Sequence, residues 1–178
     1  EIGKRIMTYE NVIVGTQTGR NAHLIKSHYP EADVHSLPMR VPERGLLNVS
    51  DSHKEGVIFI GRHEPRKNPG AFVEAIRETG LKAKVLTNDK GKAKFERDFR
   101  AAGVTDYEIR AGVIGCEKVE FIKSARVAYH PSLQESYGFC AMETLHSCPT
   151  YALVENEWWK NFEGRVRTTT KNSASAEI

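Results

Sequence analysis

Val57-Ile58-Phe59-Ile60-Gly61-Arg62-His63-Glu64-Pro65-Arg66-Lys67-Asn68-Pro69-Gly70 places four consecutive large apolar residues directly before a glycine, a basic loop and a Pro-Gly pair. An unbroken apolar run of this kind suits a strand covered on both faces rather than one with a wet side. Beyond Gly70, Phe72, Val73 and Ile76 recur at helical spacing. The stretch therefore reads as buried strand, tight turn, charged loop and amphipathic helix.

Working outward, the same unit recurs. Lys82 to Leu86 reads as a strand, followed by a charged helix from Gly91 to Ala102 with Phe95 and Phe99 one turn apart. Tyr107 to Ala111 reads as a strand, Glu117 to Ser124 as a short helix, and Arg126 to His130 as a strand. Phe139 to His146 is then a helix and Thr150 to Val154 the last strand. This alternation implies a Rossmann-like α/β fold, with a parallel sheet covered by helices on both faces. In open sheets of this type ligands sit beyond the carboxyl ends of the strands. The loops after Ile60, Leu86, Ala111 and His130 are therefore the places to look for a site.

Upstream, Asn11 to Gly15 and Asp33 to Pro38 read as strands flanking a helix from Thr18 to His28, and Met39 to Glu55 turns to Pro, Arg, Gly, Ser and Asp. We read residues 1–55 as the end of a preceding domain plus a linker region, and 56–164 as the main α/β domain. The Ser/Thr/Ala-rich tail, 165–178, is expected to be poorly ordered.

The bulk composition limits the classes of function. The 178 residues are 39% hydrophobic and 28% charged, as in an ordinary globular protein. Their net charge of +3 is compatible with an anionic ligand but too mild to argue nucleic-acid binding. No apolar run approaches the roughly 20 residues needed to span a bilayer. The N-terminus has no signal-peptide pattern, and three cysteines without CxxC spacing favour a reducing compartment. A cytoplasmic location is the expectation.

Several familiar phosphate and metal signatures are absent. No GxGxxG follows a predicted strand, and there is no GxxxxGK[ST], HExxH, GxSxG or Asp-x-Asp. We expect no metal site, and an anionic ligand held by basic side chains and backbone amides.

Two segments carry the chemistry. In the first, Gly61 lets the chain turn at the strand end, and Arg62 and Lys67 follow in the loop. Arg suits bidentate phosphate contact, Lys supplies a compact charge, and both stabilise the negative charge that builds on a diphosphate leaving group. The second, Glu135 to Glu143, follows the strand that ends at His130. Gly138 allows close backbone approach, and the amides at Phe139 and Cys140 open a helix, a natural seat for a phosphate. A carboxylate at Glu143 suits the hydroxyls of a ribose, and Glu135 those of a sugar. Singly, each segment also reads as solvated surface. Together, in this order and each at a strand end, they point to a ligand.

The two segments resemble the C-terminal domain of the large GT-B family of retaining glycosyltransferases, which includes sucrose synthases and many bacterial and phage sugar transferases. The match lies in Gly61, Arg62 and Lys67, and in a Glu-x7-Glu motif formed by Glu135, Gly138, Phe139 and Glu143. It covers roughly Val57 to Val154. The sequence departs from the family's usual pattern at His146-Ser147-Cys148-Pro149-Thr150 and at Thr87-Asn88-Asp89-Lys90.

The resemblance implies that 56–164 is a donor-binding domain for a UDP-, GDP- or ADP-sugar. It implies sugar transfer to an acceptor with retention of configuration, without a cofactor or a required metal. The catalytic set would be Arg62, Lys67 and Glu135. Arg62 and Lys67 would contact the diphosphate, with Gly61 beside them, and Glu135 the transferred sugar. Glu143 would hold the ribose, the Gly138 to Cys140 backbone would meet phosphate and sugar, and Gly112 and Val113 would lie near the base. It further implies an N-terminal acceptor-binding domain as partner, with nucleic acid entering only as an acceptor. Two rival readings are a non-catalytic nucleotide-binding or scaffolding module of the same descent, and a phage-type DNA-base glycosyltransferase.

Overall fold

A computed structural model of the chain describes residues 12–37 and 54–178, apart from 136, 156, 163–164 and 171–172. Most of the expected linker, and the first residue of the strand expected from Asn11, lie outside the described residues. The chain divides into two compact units, Glu1–Val41 and Pro42–Ile178.

In the first unit β1 (Ile13–Thr16) lies parallel to β2 (Asp33–Ser36), joined by helix α1 (Gly19–His28). Thr18 starts α1 because its hydroxyl accepts the Asn21 amide at 3.1 Å.

The second unit is built on six parallel strands. These are β3 (Glu55–Ile60), β4 (Ala83–Thr87), β5 (Tyr107–Ala111), β6 (Ala125–His130), β7 (Thr150–Leu153) and β8 (Arg167–Thr169). Their spatial order is β5-β4-β3-β6-β7-β8. The connecting helices are α2 (Pro69–Thr79), α3 (Asp89–Ala101), α4 (Gly115–Lys123) and α5 (Phe139–Leu145), and α6 (Ala174–Glu177) lies near the C-terminus. This is the Rossmann-like arrangement.

Alternation along β3 explains why both faces are covered. Val57 and Phe59 point into one core with Phe72, Ile76, Phe95 and Phe99, while Ile58 and Ile60 point into another with Leu86, Phe121 and Ile122. The first core is aromatic: Phe59 stands 5.2 Å from Phe72 and 5.3 Å from Phe95, and Phe99 stacks on Tyr107 at 4.9 Å. Each such ring, fully buried, contributes about 2–3 kcal/mol from area alone.

Two expectations from the sequence are corrected. Glu55, placed in the linker, is the first residue of β3 and pairs with Ala125, so the boundary after 55 cuts a strand. The tail, expected to be poorly ordered, supplies β8 and α6. Thr168 and Thr169 are β-branched and extend the ladder at β7, where Leu153 faces Thr169, and Thr169 and Ala174 are buried. The start of α3 also moves, from Gly91 to Asp89. Asn88 caps it by accepting the Gly91 amide at 2.8 Å, and Asp89 places an acid in the first turn.

Among the described residues no helix is long and apolar enough to cross a membrane.

Candidate functional site

β3, the first strand of the second unit, lies in the middle of its sheet. The chain goes outward through β4 and β5 on one side, then returns to place β6 against the other side of β3. The carboxyl ends of β3 and β6 thus flank a topological switch point, where such sheets open a crevice for ligands. The Gly61–Lys67 loop and the Pro131–Gly138 loop leave these two strands.

The first loop is anchored from several directions. The Gly61 amide donates to Leu86 O at 2.9 Å, and a Cβ at Gly61 would stand 3.4 Å from the Phe59 ring and 3.6 Å from Lys67 Cδ. His63 rests edge-on against Phe95, with ring centres 4.7 Å apart, and its Nε2 lies 2.7 Å from Asp98 Oδ2 on α3. A short 3-10 turn, Pro65–Lys67, follows. Asn68 then takes a left-handed conformation, φ 53°, tolerated by asparagine, and Pro69 starts α2 with its fixed φ. The effect is to turn Lys67 inward: it is 7% exposed.

Lys67 meets Glu135. Its ammonium group donates to Glu135 Oε1, and the Glu135 side chain is 8% exposed. The other carboxylate oxygen lies 3.8 Å from Arg66, and the Leu133 amide donates to Arg66 O at 2.8 Å, which ties the two loops together through the backbone as well. Arg62 extends to the more exposed side, 2.9 Å from Glu64 Oε1, while Arg66 Nε stands 3.2 Å from Glu64 Oε2. The carboxylate of Glu64 thus sits between two arginines.

Helix α5 carries the second half. Gly138 precedes it at φ 88°, a backbone setting that glycine adopts without steric cost, and this places Phe139 and Cys140 at the helix start. Phe139 is 37% exposed and stands 5.1 Å from the Tyr137 ring. Further along α5, Glu143 accepts from Lys118 Nζ at 2.5 Å, joining α5 to α4. His130, at the end of β6, is buried, and its Nε2 lies 3.1 Å from Thr144 Oγ1. Burial, assisted by the nearby Lys67 charge, pushes its pKa down to about 3, so the ring stays neutral. The position of Cys140 near a helix start suggests an acidified thiol. Burial instead raises its pKa; of the charges around it, Lys67 and Lys118 work against that shift and Glu143 and Glu135 with it.

Gly112 and Val113 follow β5 at the same carboxyl edge, two strands from β3. Gly112 adopts φ 68° and its amide donates to Thr87 O at 3.1 Å, while Val113 packs against the core that contains Ile58 and Ile60. Cys140 packs against that same core. Arg110, just before them, lies 4.6 Å over the Phe121 ring and 2.8 Å from Glu108. Trp159 lies against the buried cluster of Ala141, Ala152, Phe162 and Val166, and its Nε1 reaches Val154 O at 3.4 Å, as suits a residue packing the domain's edge. The Trp158 side chain lies outside what is described.

The structure thus joins Lys67 with Glu135 and sets Glu143 with Lys118 on the neighbouring helix pair. Arg66 and Lys118 are absent from the set expected from sequence. Arg66 was legible as part of the basic run. Lys118 was not, because its partner lies 25 positions away and no spacing rule links them. Among the described residues no group of three or more His, Cys, Asp or Glu is placed to hold a metal.

No protein-family model matches the sequence, and no curated protein is similar to it at the level of sequence. Solved structures are similar in fold. WaaG, a glycosyltransferase involved in lipopolysaccharide biosynthesis, superposes with a TM-score of 0.74 at 14% identity, over 97% of this chain and 54% of WaaG. A variant of S. aureus TarM, crystallised with Fondaparinux, alpha-GlcNAc-glycerol and UDP, gives 0.74 at 13% identity over 92% of this chain and 35% of its own. The C-terminal domain of a group 1 family glycosyl transferase, LpcC from Francisella tularensis, gives 0.56 at 17% identity over 79% of this chain and 81% of that domain. The fold is that of one Rossmann-like domain of the GT-B type. More particularly, its neighbours include a C-terminal domain of the group 1 type, as the resemblance implied. The chain spans about half the length of WaaG and about a third of TarM.

Proposed function

We propose that this chain is the donor-binding domain of a retaining glycosyltransferase, and that the crevice between the carboxyl ends of β3 and β6 receives a nucleoside-diphosphate sugar. The observation that carries this reading is the Lys67–Glu135 pair, buried at the switch point and contributed by two loops 68 positions apart. Burying an ion pair removes two charges from water at a cost that mutual attraction does not reliably offset. Its place at the ligand edge of the sheet favours a binding role over a stabilising one.

In this reading Lys67, Arg62 and Arg66 face the diphosphate. As the glycosidic bond breaks, negative charge grows on the leaving phosphate, and cations already fixed in place stabilise that state more than the ground state. Glu135 keeps Lys67 in position and has further lone pairs for hydroxyls of the sugar. The Gly138 to Cys140 backbone approaches phosphate and sugar, Glu143 accepts the ribose hydroxyls, and Gly112 and Val113 border the base. The acceptor is held by a separate N-terminal domain. UDP, bound in the TarM crystal, is the first nucleotide to try.

Calorimetric titration with UDP, GDP and ADP tests this, on the chain itself and on Lys67→Ala and Glu143→Ala. One nucleotide should bind, and each variant should weaken it by about tenfold or more, as expected when a charge-assisted contact is removed. If none of the three nucleotides binds the unaltered chain, the donor reading fails.

A further inference from the structure

We infer that Lys118 is a positioning residue for nucleotide recognition, fixing the Glu143 carboxylate so that it can read the ribose. The inference rests on the proposed role of Glu143 and adds a residue that the Glu-x7-Glu motif does not contain.

Glu143 lies on α5, a helix of seven residues whose first residue follows Gly138 without a side-chain cap. Unaided, a glutamate there keeps three rotatable side-chain bonds, and each rotamer it samples dilutes the one that faces a ligand. Lys118, reaching across from α4, donates to Oε1 at 2.5 Å. The two side chains are 23% and 29% exposed, buried enough for the contact to be retained and open enough for a ligand to reach the carboxylate. An ionised carboxylate offers about four lone-pair sites, so a single ammonium donor leaves capacity for two vicinal hydroxyls. A pre-oriented carboxylate spares the ligand the entropy of ordering it.

The charges of this pair and of the Lys67–Glu135 pair act on a common neighbour. The Cys140 thiol, one turn from Glu143, feels Lys67, Glu143, Glu135 and Lys118 together. Two lysine–glutamate pairs, Lys67–Glu135 and Lys118–Glu143, thus act on the same thiol near the start of α5. Glu143 unpaired would present a net negative charge to an anionic ligand. Paired, it presents a hydrogen-bond acceptor with its charge offset.

The test compares two probes on three proteins: the nucleoside diphosphate that binds best among UDP, GDP and ADP, and its 2′,3′-dideoxy analogue, titrated into the unaltered chain, Lys118→Met and Lys118→Arg. The quantity read is the ratio of the two affinities. A general loss of packing lowers both affinities and leaves the ratio alone. Positioning of Glu143 predicts that the ratio, large in the unaltered chain, falls by about tenfold in Lys118→Met and returns toward its original value in Lys118→Arg. An unchanged ratio in Lys118→Met overturns the inference while leaving the donor site standing. A ratio that falls in Lys118→Met and that arginine fails to restore overturns it too, since a cation at position 118 would then not be what orients Glu143. If the unaltered chain binds the diphosphate but does not distinguish the dideoxy analogue, the role of Glu143 fails first and the inference falls with it.

Discussion

His130 shows how one residue at the ligand edge can serve the fold rather than the chemistry. The ring is 3% exposed, bonded to Thr144 and held neutral. In the unfolded chain an imidazole takes up a proton as the pH falls through about 6.5, whereas the buried ring resists protonation down to about 3. Between these values the unfolded state binds more protons, so His130 contributes nothing to pH dependence above about 6.5 and destabilises progressively below it. The penalty is of the order of 1 kcal/mol per pH unit. Urea midpoints measured at pH 7 and pH 5 should therefore fall more steeply for the unaltered protein than for His130→Gln, and equal slopes would show that the ring is not buried neutral. The same residue marks what the sequence could reveal at this scale. The placement of Arg62, Lys67 and Glu135 in loops after strand ends, and of Glu143 on the following helix, was legible because the apolar runs mark where the strands stop. Their partners were not. That Lys67 turns inward to Glu135, or that Cys140 is de-acidified by burial, depends on packing between segments far apart in the chain.

Among the elements, those with an apolar signature were read to within a residue or two. β5 occupies Tyr107–Ala111 as expected, and β3 begins two residues early because Glu55 and Gly56 carry no hydrophobic mark. Helix ends shifted where a cap, rather than apolar periodicity, sets the start, as at Asn88. α3 couples fold and site directly. Phe95 on its buried face touches Phe59 and Phe99 and also supports the His63 ring, which Asp98 on the same helix holds by its other end. Phe95→Ala should cost about 3–5 kcal/mol in denaturant unfolding, the range for deleting a buried aromatic ring. In whatever fraction stays folded, nucleotide affinity should drop as well, since the loop carrying Arg62 and Lys67 loses the surface under His63. A stability loss with unchanged affinity would mean that the loop holds its shape without that support.

At the scale of the whole second unit, the question is where the sheet stops. Composition placed the last ordered residue near 164, since a Ser/Thr/Ala-rich stretch has neither apolar period nor charge pattern. Threonine is nevertheless a good strand residue, and an edge strand needs only one buried face. β8 meets that need: Thr169 is 2% exposed, Val166 joins Phe162 in one buried cluster, and Ala174 reaches the aromatic core that holds Phe72. Without this segment β7 becomes the edge, with the unpaired backbone of Tyr151–Leu153 and part of that core opened to water. A chain ending at residue 164 should therefore unfold at lower urea concentration than the full chain, and show more concentration-dependent association in sedimentation velocity. The proposed donor crevice lies two strands away, between β3 and β6, so nucleotide affinity in the truncated chain should stay within about threefold of the original wherever it remains folded, as expected for sites that do not share partners. Equal urea midpoints would make β8 a detachable edge. A large affinity loss at unchanged stability would instead mean that the segment after β7 contributes to the crevice itself.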